Sequence, residues 1–232
     1  RPASAILTTH NYFCGRLGLT SLAPIFRWAT AIRGNRARFY VNENTIMGGK
    51  LARAQQYLQM VEDLGKEGAE VGGIADQGHF FGKRIPPNEQ LWPVLETISR
   101  AGLPVMVTEF GVRAVDEEAH ADDLRRFYRL CFAHPQVQGI IRWGMWEPEM
   151  WPRDPRGRET KEAPLYRSDW SRTPAAEVME RLVAKEWHTS GTGRPDAKGE
   201  LSFRGFYGRY QLQSGRRTWD VAFTPARTVV EL

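Results

Sequence analysis

Four times along the chain a short apolar run gives way to a segment whose apolar residues recur every three or four positions. The runs are ARFYVNEN (37–44), VGGIADQGHF (71–80), PVMVTEFGV (104–112) and VQGIIRWGMWEP (137–148), each predicted as a strand. After the first, Leu51, Ala54, Leu58, Val61 and Leu64 fall on one helical face, and Gly65 or Gly68 can close that helix. Leu91, Leu95 and Ile98 mark a second helix ending before Gly102, with Pro93 disturbing its first turn. Leu124, Phe127, Tyr128 and Cys131 share one side of a third, for which Asp116 is a candidate N-cap. Thr173-Pro174 reads as a cap followed by proline at the first helical position, opening a fourth helix with Val178, Met179, Leu182 and Val183 as its buried stripe. An amphipathic helix, SLAPIFRWATAIRG, precedes the first strand, opening on Ser21 and stopping at Gly34.

The strand starts recur about every 33 residues, and each repeat is one strand plus one helix rather than a helical solenoid unit. All four strands are apolar nearly throughout, as expected of strands buried on both faces in a parallel α/β sheet. A (β/α) barrel and an open doubly wound sheet both satisfy that pattern. After Trp187 the character changes: TSGTGRPDAKG reads as a linker, and LSFRGFYGRYQLQSGRRTWDVAFTP alternates as a β-hairpin would around Ser214-Gly215. The expected organisation is a barrel-like domain over residues 1–188 and a linker with a small hairpin over 189–232.

Composition narrows the function classes. The net charge of +5 comes from Arg and Lys scattered among acids, with no basic run for a nucleic-acid partner. No apolar stretch reaches the roughly 18 residues of a membrane helix, and RPASAILTTHNYF has no signal-peptide core. Cys14 and Cys131 form neither a disulfide framework nor a metal site; one bridge or two free thiols are both open. Eight Trp are many for 232 residues, and flat ligands such as sugar rings stack on such surfaces.

In parallel α/β folds the active site lies at the carboxyl ends of the strands. Those ends carry Asn42, Glu43 and Asn44; Asp76, Gln77 and His79; Thr108 and Glu109; and Trp143, Trp146 and Glu147. Each residue has a plain structural reading: Glu109 as a solvated loop acid, His79 as a satisfied histidine, the tryptophans as core, Asn42 as a turn former. Four polar strand ends aimed at one rim favour a pocket. Trp143 and Trp146 are three apart, so on a strand only one of them looks into it. An aldolase-type site would need a lysine or metal ligands at the strand ends. Lys50 and Lys83 lie beyond the strands, and no His/Asp/Glu group has metal-ligand spacing, so no metal and no cofactor are expected.

FYVNEN, GIADQGHF, PVMVTEFGV and GIIRWGMWEPEMW, in this order and spacing, resemble the second half of a family-10 glycoside hydrolase, the endo-1,4-β-xylanase family. The resemblance covers about residues 11–188 and implies the last four units of an eight-stranded (β/α) barrel. It implies that Glu109 is the carboxylate nucleophile and that Gln77 and His79 hydrogen-bond near it. Asn42 matches a polar position ending the fifth barrel strand, and Trp143 and Trp151 match aromatics around the cleaved sugar. The implied substrate is xylan or xylo-oligosaccharide, and the implied location is secreted or periplasmic. A retaining glycosidase needs a second carboxylate about 5–5.5 Å from the nucleophile to protonate the leaving oxygen. In the family it ends the strand three before the nucleophile, near residue 6, where PASAILTTH has no acid. Glu43 follows an Asn but ends the wrong strand. The expectation is therefore an incomplete catalytic domain, whose missing first half precedes these residues or comes from a partner; a non-catalytic carbohydrate-binding descendant is the alternative.

Overall fold

Apolar runs flanked by amphipathic segments build a parallel sheet with helices in its crossovers. A computed structural model describes Gly18 and residues 21–33, 37–48, 50–82, 84–114, 116–150 and 162–231. Two compact units emerge, Arg1–Val178 and Met179–Leu232.

In chain order the first unit holds α1 (Leu22–Arg33), β1 (Tyr40–Glu43), α2 (Leu51–Lys66), β2 (Gly73–Asp76), β3 (His79–Phe80), α3 (Asn88–Ser99), β4 (Val105–Val112), α4 (Glu117–Ala133) and β5 (Val137–Arg142). A 3-10 turn, Glu147–Glu149, and the start of α5 (Pro174–Arg181) follow. β1 pairs with β2, β2 with β4, and β4 with both β3 and β5, every ladder parallel. β2 and β4 lie inside the sheet, and Ile74, Val105, Val107, Phe110 and Val112 are fully buried there. Phe110 stacks on Phe127 of α4 with ring centroids 4.6 Å apart, and Phe80 meets the same ring edge-on at 5.2 Å.

Three expectations are corrected. The second predicted strand is two: Gly78, at φ +79, turns the chain between β2 and β3. A Cβ there would lie 2.5 Å from Val107 Cγ1, so both the backbone conformation and the space require glycine. The fourth strand stops at Arg142, six residues early, because Gly144 (φ +66) turns the chain out of the sheet. β5 is only partly covered, with Ile141 53% exposed, since among the described residues it pairs with β4 alone. Last, the buried face of α2 is Ala54, Tyr57, Met60, Val61 and Leu64, whereas Leu51 is exposed and Leu58 half-buried. Tyr57 takes the inner position because its hydroxyl reaches the carbonyl oxygens of Val41 (2.8 Å) and Ala75 (2.9 Å), satisfying its polar tip inside the core.

The caps follow the sequence. Asp116 accepts a hydrogen bond from the Ala119 amide at 2.7 Å, and the Thr173 carbonyl accepts from the Glu177 amide as α5 begins. Val178 and Leu182 of the predicted stripe are buried, Met179 is half-buried, and Val183 faces solvent because the helix widens to a π-turn over Leu182–Glu186. On α1, Ile25, Trp28 and Ile32 are 50%, 67% and 87% exposed, an apolar stripe uncovered among the described residues.

The second unit is the hairpin β6 (Gly208–Ser214) and β7 (Arg217–Phe223), antiparallel and turning at Gly215, φ +57. Tyr210, Leu212, Trp219, Val221 and Phe223 share its half-buried face, and the Phe203, Tyr210 and Phe223 rings form a cluster with centroids 5.3–5.5 Å apart.

Candidate active site at the strand ends

The site starts from a defect in the β4–β5 ladder. Val107 pairs with Ile140 and Phe110 with Arg142, so three steps of β4 match two of β5. This bulge at Thr108–Glu109 re-aims a side chain at the carboxyl end of the sheet. The Glu109 amide donates to the Gln77 carbonyl at 2.7 Å, and the Gly111 amide to the Gly78 carbonyl at 3.1 Å. Those bonds fix β4 against the turn that presents His79.

His79 Nε2 lies 3.0 Å from Glu109 Oε2, and its Nδ1 lies 2.8 Å from Glu162 Oε1. One imidazole thus bridges two carboxylates. The side chains of His79, Glu109 and Glu162 retain 11%, 24% and 6% of their exposure, so Glu109 is the carboxylate that faces the opening. Burial alone would pull the His79 pKa down, but the hydrogen bonds and charges of Glu162 and Glu109 outweigh it and leave it raised above 6.5. A neutral imidazole donates from only one nitrogen, whereas the protonated ring donates to both acids.

Aromatic walls surround the bridge. Phe81 stacks near-parallel to the His79 ring at 5.8 Å, and Trp143 meets it edge-on at the same separation. Trp143 is 42% exposed and Phe81 47%, leaving flat apolar surface beside the open face of Glu109. Asn42 Oδ1 accepts from Thr108 Oγ1 at 3.0 Å, which places Asn42 at the same rim. Gln77 joins the rim through its backbone: its amide donates to the Glu43 carbonyl at 2.8 Å and its carbonyl receives Glu109. Trp151 lies outside the described residues, as do the segment near residue 6 and Cys14.

Other strand-end residues go elsewhere. Glu43 Oε1 accepts from the Asn44 amide, and Glu147 Oε2 from the Ser168 amide and hydroxyl. Trp146 stacks on Trp170 at 5.0 Å, away from His79. Asp76 is buried and accepts from the Met47 and Gly78 amides, and burial pushes its pKa up to about 6. Among the described residues no three His, Cys, Asp or Glu side chains converge as metal ligands, and no helix is long and apolar enough to cross a membrane.

Sequence reasoning missed Glu162. It sits 83 residues from His79, in a polar loop with no periodicity. The loop is held down where the Ala163 amide donates to the Val112 carbonyl at 2.8 Å and Arg142 donates to the Ala163 carbonyl.

The sequence profile of Glycosyl hydrolase family 10 matches residues 7–181. The chain belongs to that family. It is 35% identical over 202 residues to the anti-sigma-I factor RsgI6 of Acetivibrio thermocellus, covering 87% of this chain and 25% of that protein. It is 30% identical over 205 residues to endo-1,4-beta-xylanase 2 of Arabidopsis thaliana, covering 88% and 18%. The chain therefore spans about a quarter or less of these relatives. Among solved structures it resembles native xylanase 10B of Thermotoga maritima, with a TM-score of 0.64 at 20% identity, over 75% of this chain and 55% of that one. The Thermotoga petrophila xylanase 10B in complex with xylobiose gives 0.63 at 20% identity, over 75% and 54%. At that identity the likeness establishes the fold, and the family assignment makes this a xylanase-like domain of TIM-barrel type.

Proposed function

We propose that this chain carries the nucleophile half of a retaining endo-1,4-β-xylanase site. The observation that supports it best is the 3.0 Å contact between His79 Nε2 and Glu109 Oε2, made at adjoining strand ends beside an exposed tryptophan. In this reading a Glu109 oxygen attacks the anomeric carbon, the glycosidic C–O bond breaks, and the leaving oxygen takes a proton from a second acid. Water then attacks the same carbon, gives its proton to that second group, and frees Glu109. His79 holds the nucleophile in place, Trp143 offers a flat face to the sugar, and Asn42 and Gln77 line the rim.

The second acid is supplied from outside the described residues. Among the described residues β1 and β5 each have one neighbour in the sheet, and Ile25, Trp28, Ile32 and Ile141 are exposed. These features support a four-unit half of a (β/α)8 barrel, completed by further strand-helix units. In this reading xylan or xylo-oligosaccharide is the substrate and the protein acts where xylan is found, outside the cell.

The likeness to a protein named as an anti-sigma factor favours a second reading, in which the same cleft binds the sugar without cleaving it. A dinitrophenyl xylobioside separates the two, because its leaving group needs no protonation. The catalytic reading predicts a burst of about one dinitrophenolate per chain, lost in Glu109→Gln. Xylobiose binding without a burst would reject it in favour of the binding domain.

A further inference from the structure

We propose that Glu162 is a positioning residue for the reaction at Glu109, acting through His79, and that the missing side chain at Gly111 makes the room for its carboxylate. The inference rests on the catalytic reading above. An imidazole has two nitrogens, and here each meets a carboxylate: Nε2 at Glu109 and Nδ1 at Glu162. With Glu109 alone, a neutral ring donating from Nε2 would suffice. The second acid makes the doubly protonated ring the form that satisfies both contacts. Held this way the ring has one orientation, because a half-turn about its Cβ–Cγ bond would set ring carbons against both acids.

Glu162 has little other occupation. It is 5% exposed and its Oε2 is buried with no hydrogen-bond partner, a costly state for a carboxylate. Its place exists because position 111 has no side chain: a Cβ built there would fall inside the Glu162 carboxylate. β4 therefore leaves a gap two residues beyond Glu109, and a loop residue fills it with charge. Among the described residues, the other ionisable groups around the bridge are few. Arg142 of β5 is half-buried and its charge interacts with Glu162 while it donates to the Phe110 carbonyl at 3.0 Å. Arg113, just past β4, lies over Phe81 at 5.5 Å, and Asp76 at the end of β2 is bound to the Met47 and Gly78 amides. His120 of α4 is buried, and that burial, with the charge of Arg142 adding to it, holds its pKa down at about 3, so it is neutral.

The experiment follows the His79 ring by 15N NMR against pH in the full chain, in parallel with the pH dependence of covalent labelling by a fluorinated dinitrophenyl xylobioside. Glu162→Gln keeps an acceptor for Nδ1 but removes the charge. The His79 titration should fall by about one unit or more. The maximal labelling rate at neutral pH should fall about tenfold with the concentration dependence little changed. Glu162→Asp should lie between. The pair Gly111→Asp with Glu162→Ala returns a carboxylate from β4 to the vacated volume, and should restore the high titration; this variant also decides the matter if Glu162→Gln does not fold. An unchanged His79 titration in folded Glu162→Gln overturns the proposal whatever the label does. A shifted titration in a chain that the reagent never labels keeps the Glu162–His79 coupling and rejects the catalytic reading instead.

Discussion

Replacing His79 by phenylalanine keeps a ring between Phe81 and Trp143 and removes both donors from the bridge. Glu162, 6% exposed, and Glu109, 24% exposed, then face each other without the cation between them. Breaking a buried ion pair by deleting one partner costs about 3–5 kcal/mol, because the remaining charge stays desolvated. Solvent screens part of Glu109, so the lower figure applies, about 3 kcal/mol at pH 6. The sign of the pH dependence follows from the raised His79 pKa. Its stabilisation is fully present below the unfolded value near 6.5 and is lost as pH rises through the folded value. Urea unfolding of the two proteins at a series of pH values from 6 to 9 reads this directly. The gap in unfolding free energy should be widest at pH 6 and narrow towards pH 9. A gap under about 1 kcal/mol, or one that does not change with pH, refutes the charged bridge.

Tyr57→Phe removes the hydroxyl that reaches the Val41 and Ala75 carbonyls, and should lower the urea midpoint by the equivalent of about 1–2 kcal/mol with the slope unchanged. Asp116→Ala deletes the cap on α4 and should cost about 1 kcal/mol in the same assay, whereas Asp116→Asn should cost less. Burial of Cys131 pushes its thiol pKa well up, so peptide mapping after maleimide treatment at pH 7.5 should find it unmodified in the folded chain and modified in urea.

Much of the first unit was readable because its signals are local. The apolar runs become β1, β2, β4 and β5, and Asp116 caps α4 as its position suggests. Parallel pairing followed from strands too apolar to face water on one side, but that rule holds only in the sheet interior. β5 breaks it, since among the described residues it has one neighbour. The α2 face was misread by one position because hydrophobicity ranks Leu58 above Tyr57, while the structure has carbonyl oxygens waiting for a hydroxyl. His79 and Glu109 stood out as strand-end residues, and the structure brings them together across β3 and β4. Glu162 did not stand out. A loop acid acquires meaning only from the gap at Gly111, and a gap is a property of three dimensions.

The central claim is that Glu109 forms a bond to a sugar carbon, and its most direct measurement is the site of attachment of a fluorinated aryl xylobioside. The chain is incubated with the reagent, digested, and each peptide fragmented in the mass spectrometer. The account predicts one added fluoroxylobiosyl group, on Glu109, and none in Glu109→Gln. A label on another carboxylate, or xylobiose binding with no label at all, contradicts it.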